Sequence, residues 1–184
     1  MNRSEAWDLV CEFVASESLR THMLCVEASM RHYAARNGAD EELWGVVGLL
    51  HDFDYERWPE PPAHTREGAK ILRERSVNED IVGAVLSHAD WNHDEYPLDR
   101  PLRKTLFAVD ELSGFIYAVA LVRPQKLDGM TPKSVKKKLK TPAFAAAVSR
   151  GDVNKGAELL EIPLDEHIAN CIEGLQAARE RIGL

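Results

Sequence analysis

Apolar residues recur along this chain at three- and four-residue steps, in segments that open on capping residues and close on glycine or proline. No stretch alternates polar and apolar residues convincingly enough for a half-buried strand. Ser18 can cap a helix through about Arg36, stopped by Asn37–Gly38, and Asp40 can cap the next, which carries EELWGVVGLL into His51. Prolines 59, 61 and 62 then break the chain before a helix from about Ala63 to Arg75. Asn78 opens another through EDIVGAVLSHA, and Asp99-Arg100-Pro101 opens a long one to about Val122. TPKSVKKKLK and TPAFAAAVSRG each place proline just after a threonine cap, and LDEHIANCIEGLQAARERIG forms an amphipathic closing helix. The expected fold is all-α, a single-domain helical bundle.

At 184 residues the chain can bury one real core but is short for two domains, and neither a repeat nor a low-complexity linker divides it. A net charge of −7 argues against general affinity for nucleic acid. No apolar run approaches the roughly 18 residues needed to span a bilayer, and the first residues, MNRSEAWDLVCEF, lack the apolar block of a signal peptide. Cytoplasmic residence is the expectation. Cys11, Cys25 and Cys171 are far apart and flanked by apolar residues, so free buried thiols are expected rather than a zinc site.

Ionisable residues interrupt this apolar pattern at particular places. His22 shares a helical face with Leu19, Val26 and Met30; taken alone, such a histidine is more often a hydrogen-bonded core residue than a ligand. His51 and Asp52 lie where GVVGLL runs out, His64 opens a helix after the proline-rich turn, and His88 ends IVGAVLSH. Asp110 is hardest to explain as a solvated side chain, because LFAVDELSGFIYAVALV is apolar over most of its circumference and a carboxylate there needs a partner. Imidazoles and carboxylates together suit iron, manganese, zinc, cobalt or nickel. Six exceed the needs of one tetrahedral zinc and fit two adjacent cations sharing a carboxylate.

The order His22, His51-Asp52, His64, His88, Asp110 resembles the HD-domain metal-dependent phosphohydrolase superfamily, and the local contexts RTH, GLLHDFD, HTREGAKIL, LSHAD and LFAVDELSGFI are similar too. The minimal signature of that superfamily corresponds to His22, His51, Asp52 and Asp110 on one metal, and the added pair His64 and His88 looks like its two-metal subset. Phe53-Asp54 stands where the HD-GYP phosphodiesterases carry Ile-Gly, and their Gly-Tyr-Pro signature is missing, which points away from cyclic dinucleotide hydrolysis. The chain looks closer to small stand-alone HDIG-type hydrolases. The motifs cover about residues 18–122, and helices within 131–184 are expected to pack on that core to complete one domain, 1–184.

The resemblance implies a phosphomonoesterase or phosphodiesterase working through a metal-activated hydroxide on a small phosphorylated or nucleotide-like substrate. Asp52 would bridge the ions and orient the nucleophilic water, with His22, His51 and Asp110 on one ion and His64 and His88 on the other. Arg20, Arg66 and Lys70 are candidate phosphate contacts, although a solvated surface face is the more ordinary reading of all three; Arg66 and Lys70 share a helical face. Asp54 and Glu111 adjoin ligands and could orient an imidazole or water, or simply pair with arginines. Trp58, Trp91 and Tyr96 could wall a pocket, and Lys126 with the Lys133–Lys140 segment could attract an anion or be a solvated face. His32, His93 and His167 fall outside the pattern. Two other readings use the same scaffold: a di-iron oxygenase, and a non-catalytic ligand sensor. A homodimer through exposed helices is compatible with this surface, and no membrane or nucleic-acid partner is expected.

Overall fold

Local capping chemistry sets where most helices begin. In the computed structural model, which describes residues 1–184, α1 spans Arg3–Phe13 behind an Asn2–Glu5 capping box and α2 spans Glu17–Asn37. The cap of α2 is Ser16, not Ser18: its hydroxyl accepts from the Leu19 N–H, and Glu56 takes the neighbouring N–H groups of Ala15 and Ser16. Gly38 ends α2 in the left-handed region. α3 (Glu41–Leu50) starts on Asp40, α5 (Glu79–Ser87) on Asn78, and α6 (Pro101–Leu121) with proline at its first position. Between α3 and α5 lies α4 (Ala63–Glu74), whose helical backbone is broken at His64 and Thr65. α7 (Pro132–Leu139) opens on a Thr131–Ser134 capping box.

The segment after α7 departs from expectation. TPAFAAAVSRG forms turns over 142–147 rather than a helix, because the Arg150 guanidinium donates to the carbonyls of Phe144, Ala145 and Val148. Those carbonyls are therefore engaged by a side chain instead of a helical ladder. Ser149 then caps α8 (Arg150–Leu159), and α9 (Leu164–Ala177) stops short of the full closing segment.

The bundle is built around α2, which packs on α3, α6 and α9, while α6 also supports α8. Close approach of α2 and α3 needs Gly48: a Cβ there would lie 2.8 Å from the Glu27 Cα. Glu27 is itself buried, and its carboxylate accepts from Arg3 and Arg31. His167 ties three helices together, bonded through one ring nitrogen to the Tyr33 hydroxyl (2.7 Å) and donating from Nε2 to the Ala108 carbonyl (2.9 Å). Burial holds its pKa down near 4, so it stays neutral. Cys25 and Cys171 are buried free thiols, whereas Cys11 is exposed because Leu9, Val10 and Phe13 take the inward face of α1. No helix is long and apolar enough to cross a membrane.

Candidate metal centre

Five helices bring an end or a middle toward one point, α4 with His64 near its start. The apolar stretch of α3, buried from Trp44 to Leu50, ends on His51 as its C-cap, and the following turn presents Asp52. α5 ends the same way on His88. α2 contributes His22 and α6 contributes Asp110 from within their lengths. His22 fits against α6 at Gly114, where a Cβ would stand 3.2 Å from the imidazole Nδ1.

The six side chains meet. His22 Nε2 lies 3.0 Å from Asp110 Oδ1 and 3.2 Å from His51 Nε2. His51 Nε2 is 3.5 Å from both Asp110 Oδ1 and Asp52 Oδ2. The other oxygen of Asp52, Oδ1, faces His64 Nε2 at 3.3 Å and His88 Nε2 at 3.2 Å. Two groups of potential ligands result, His22–His51–Asp52 and Asp52–His64–His88, joined by one carboxylate.

Each of three imidazoles is oriented from behind. Nδ1 of His51 donates to the Gly48 carbonyl (2.8 Å), Nδ1 of His88 to the Val85 carbonyl (2.7 Å), and Nδ1 of His64 to Asp54 Oδ1 (2.9 Å). Protons placed on Nδ1 leave the Nε2 lone pairs pointing inward, the arrangement that suits metal ligation. Burial opposes charging of His51, but the carboxylates of Asp52 and Asp110 outweigh it and lift its pKa to about 9. His64 is likewise opposed by burial and lifted to about 9 by Asp52 and Asp54. Against their own burial, Asp52 and Asp110 are held well below the usual carboxylate range, chiefly by the charge of His51. The cluster thus gathers positive charge between its carboxylates, and a divalent cation is the chemical alternative to those protons. The donor set fits metal ions.

Asp54 has a larger part than adjacency suggests. It is fully buried, and its second oxygen accepts the backbone N–H groups of Thr65 and Gly68, both at 2.8 Å. It therefore caps the helical part of α4 while fixing His64. Thr65 is held at φ +68°, a conformation costly for a β-branched residue. Asn92 supports it from the far side, donating to the Thr65 hydroxyl (2.8 Å) and the Leu86 carbonyl (2.9 Å). Nothing in the sequence marks Asn92 for this role, since a lone asparagine in a polar stretch carries no signal.

The other candidates lie as follows. Arg20 donates to the Val14 and Cys11 carbonyls at the end of α1. Arg66 donates to Asn92 and Glu95, and Lys70 is exposed and paired with Glu67. Glu111 is half-buried, its pKa raised by burial and by the charge of Asp110. Trp58 packs against Phe13, and the Tyr96 hydroxyl accepts from Arg73; Trp91 instead stands against His64. In the basic segment Lys136 pairs with Asp165 and Lys138 lies over the Phe144 ring, while Lys126 donates to the Gly183 carbonyl.

The model of one family, described as HD domain, matches residues 19–114, a span that contains all six clustered side chains. No solved structure matches the chain.

Proposed function

The chain belongs to the HD domain family, and on that premise we propose that it is a metal-dependent phosphohydrolase acting on a small phosphorylated or nucleotide-like compound. The observation that carries this reading is the division of Asp52, with one oxygen toward His64 and His88 and the other toward His51. A carboxylate so placed suits a bridge between two ions. His22, His51 and Asp110 would hold the first and His64 and His88 the second. Bound divalent cations supply an ionised nucleophile near neutral pH and positive charge opposite the phosphoryl oxygens.

The remaining work falls to the chain. Gly48, Val85 and Asp54 hold three imidazoles in the ligating tautomer. His51 is sealed from solvent, while His22, Asp52 and Asp110 keep part of their surface exposed, so a phosphoryl group would approach from that side. Elemental analysis combined with a phosphate-release screen tests the reading. We expect about two transition-metal equivalents and metal-dependent phosphate release that Asp52→Ala abolishes without loss of helical content. Less than about a tenth of an equivalent after reconstitution with manganese, iron, cobalt and nickel would remove the metal assignment. Oxygen uptake without phosphate release would replace hydrolysis by oxygenation.

A further inference from the structure

Folding a chain with four tryptophans, four tyrosines and five phenylalanines leaves only two of these side chains exposed, Tyr55 at 44% and Trp91 at 39%. Both stand against the same buried residue. The Tyr55 ring centroid is 5.1 Å from that of His64 at 83°, and Trp91 is 5.9 Å away at 62°. Scattered exposed apolar residues need no explanation, but two part-exposed aromatic rings packed on one residue of the cluster do.

Their backbones are fixed while part of each residue stays exposed. The Tyr55 N–H donates to the Asp52 carbonyl at 3.1 Å, in the turn that presents Asp52. Trp91 lies in a short 3₁₀ turn, Asp90–Asn92, locked by the buried Asn92 side chain. Orienting His64 does not require either ring, because Asp54 already holds its Nδ1. His64 Nε2 in turn lies 3.3 Å from the part-exposed Asp52, so a group resting on Tyr55 or Trp91 stands next to the cluster.

We infer that Tyr55 and Trp91 are specificity residues that grip a planar ring carried by the phosphorylated substrate, an inference that rests on the phosphohydrolase reading above. Stacking on an aromatic face tolerates many rings, so the class recognised is a phosphate ester bearing an aromatic or heteroaromatic group. Arg66, which donates to the Asn92 side chain beside Trp91, is engaged there and by Glu95.

The test compares two hydrolysis-resistant probes, benzylphosphonate and methylphosphonate, by isothermal titration calorimetry on metal-loaded protein. The wild type should prefer benzylphosphonate. Tyr55→Ala and Trp91→Ala should each weaken it by about fivefold, the scale of one aromatic contact, and leave methylphosphonate within about twofold. Metal content, measured on the same samples, should be unchanged. Equal affinity of the wild type for both probes overturns the inference, as does unaltered benzylphosphonate binding in both variants. Loss of metal from the alanine variants also overturns it, by making the rings supports of His64. Ring preference is read from binding alone, so its failure is distinct from failure to release phosphate.

Discussion

Replacing Asp54 separates metal affinity from stability. Its carboxylate is an acceptor for three buried donors, the N–H groups of Thr65 and Gly68 at 2.8 Å and His64 Nδ1 at 2.9 Å. In Asp54→Ala all three lose their acceptor where water has little access, and each such loss costs about 1–3 kcal/mol, less than additively. A total of about 4 kcal/mol is expected, a large share of the stability of a domain this size. Asp54→Asn behaves differently. Its amide oxygen can still accept both backbone N–H groups, so the cap survives and the loss should be about 1 kcal/mol. Its NH₂ group then faces His64 Nδ1, which must accept rather than donate. The ring proton moves to Nε2, the atom that faces Asp52, and that nitrogen can no longer ligate. Metal affinity should fall about 10- to 100-fold, the usual effect of removing the group behind a ligating histidine. Urea unfolding and competitive metal titration on both variants give the two quantities. Wild-type metal affinity in Asp54→Asn would refute the tautomer argument, and equal instability of the two variants would refute the division of labour between its oxygens.

Gly48→Ala should destabilise by about 2–3 kcal/mol in urea and weaken metal binding, because the new Cβ meets Glu27 backbone at 2.8 Å and forces α3 from α2, separating His51 from His22; an unchanged midpoint would show that the helices have slack. Metal affinity should rise with pH between 7 and 9, since His51 and His64 of the metal-free cluster carry protons up to about 9 that binding must displace; proton uptake rather than release, measured in weak buffer, would contradict this. His167 should make stability fall by about 3 kcal/mol as pH drops from about 6.5 to 4. Over that range the unfolded chain binds a proton that the folded one, with His167 titrating near 4, does not. Above 6.5 both states are neutral and the contribution is flat. The difference in unfolding free energy between wild type and His167→Gln, followed against pH, isolates it, and a pH-independent difference would count against a neutral buried imidazole.

Much of the fold was legible because its signals are local. Asp40, Asn78, Pro101 and Thr131 act within one turn of themselves, and the helices open where these residues stand. Ser16 displaced Ser18 for a reason outside the helix: Glu56, 40 positions away, fixes the N–H groups that precede it. The failure at TPAFAAAVSRG is of the same kind, since Arg150 reaches back to occupy the carbonyls. That His22, His51, Asp52, His64, His88 and Asp110 would come together was legible from their order along the chain and the family it resembles, and the structure gathers all six. The supports were legible only in part. Adjacency to His51-Asp52 marks Asp54 as able to orient an imidazole or to pair with an arginine, but only tertiary contact decides for His64 and adds the two backbone donors. Tyr55 went unnoticed because nothing local distinguishes an exposed tyrosine from a buried one.

The supports follow a rule that the helix termini impose. A helix leaves its last carbonyls without intrahelical donors, and α3 and α5 each use one of them, three residues back, to accept from the imidazole that caps the helix. His51 and His88 are thus oriented by backbone, which substitution of a side chain does not remove. His64 stands at the start of a helix, where the backbone offers donors and no acceptor, so the same device cannot serve it. A buried carboxylate from another segment fills the gap, and because it can also accept backbone N–H groups, it caps α4 in the same place. The left-handed Thr65 follows from this geometry. The chain must turn sharply enough to bring both its N–H and the preceding imidazole onto one carboxylate, and Asn92 holds the strained residue there. Of the three outwardly tethered histidines, His64 is therefore the one whose ligating form depends on a single side chain, which places the control of one half of the cluster at Asp54.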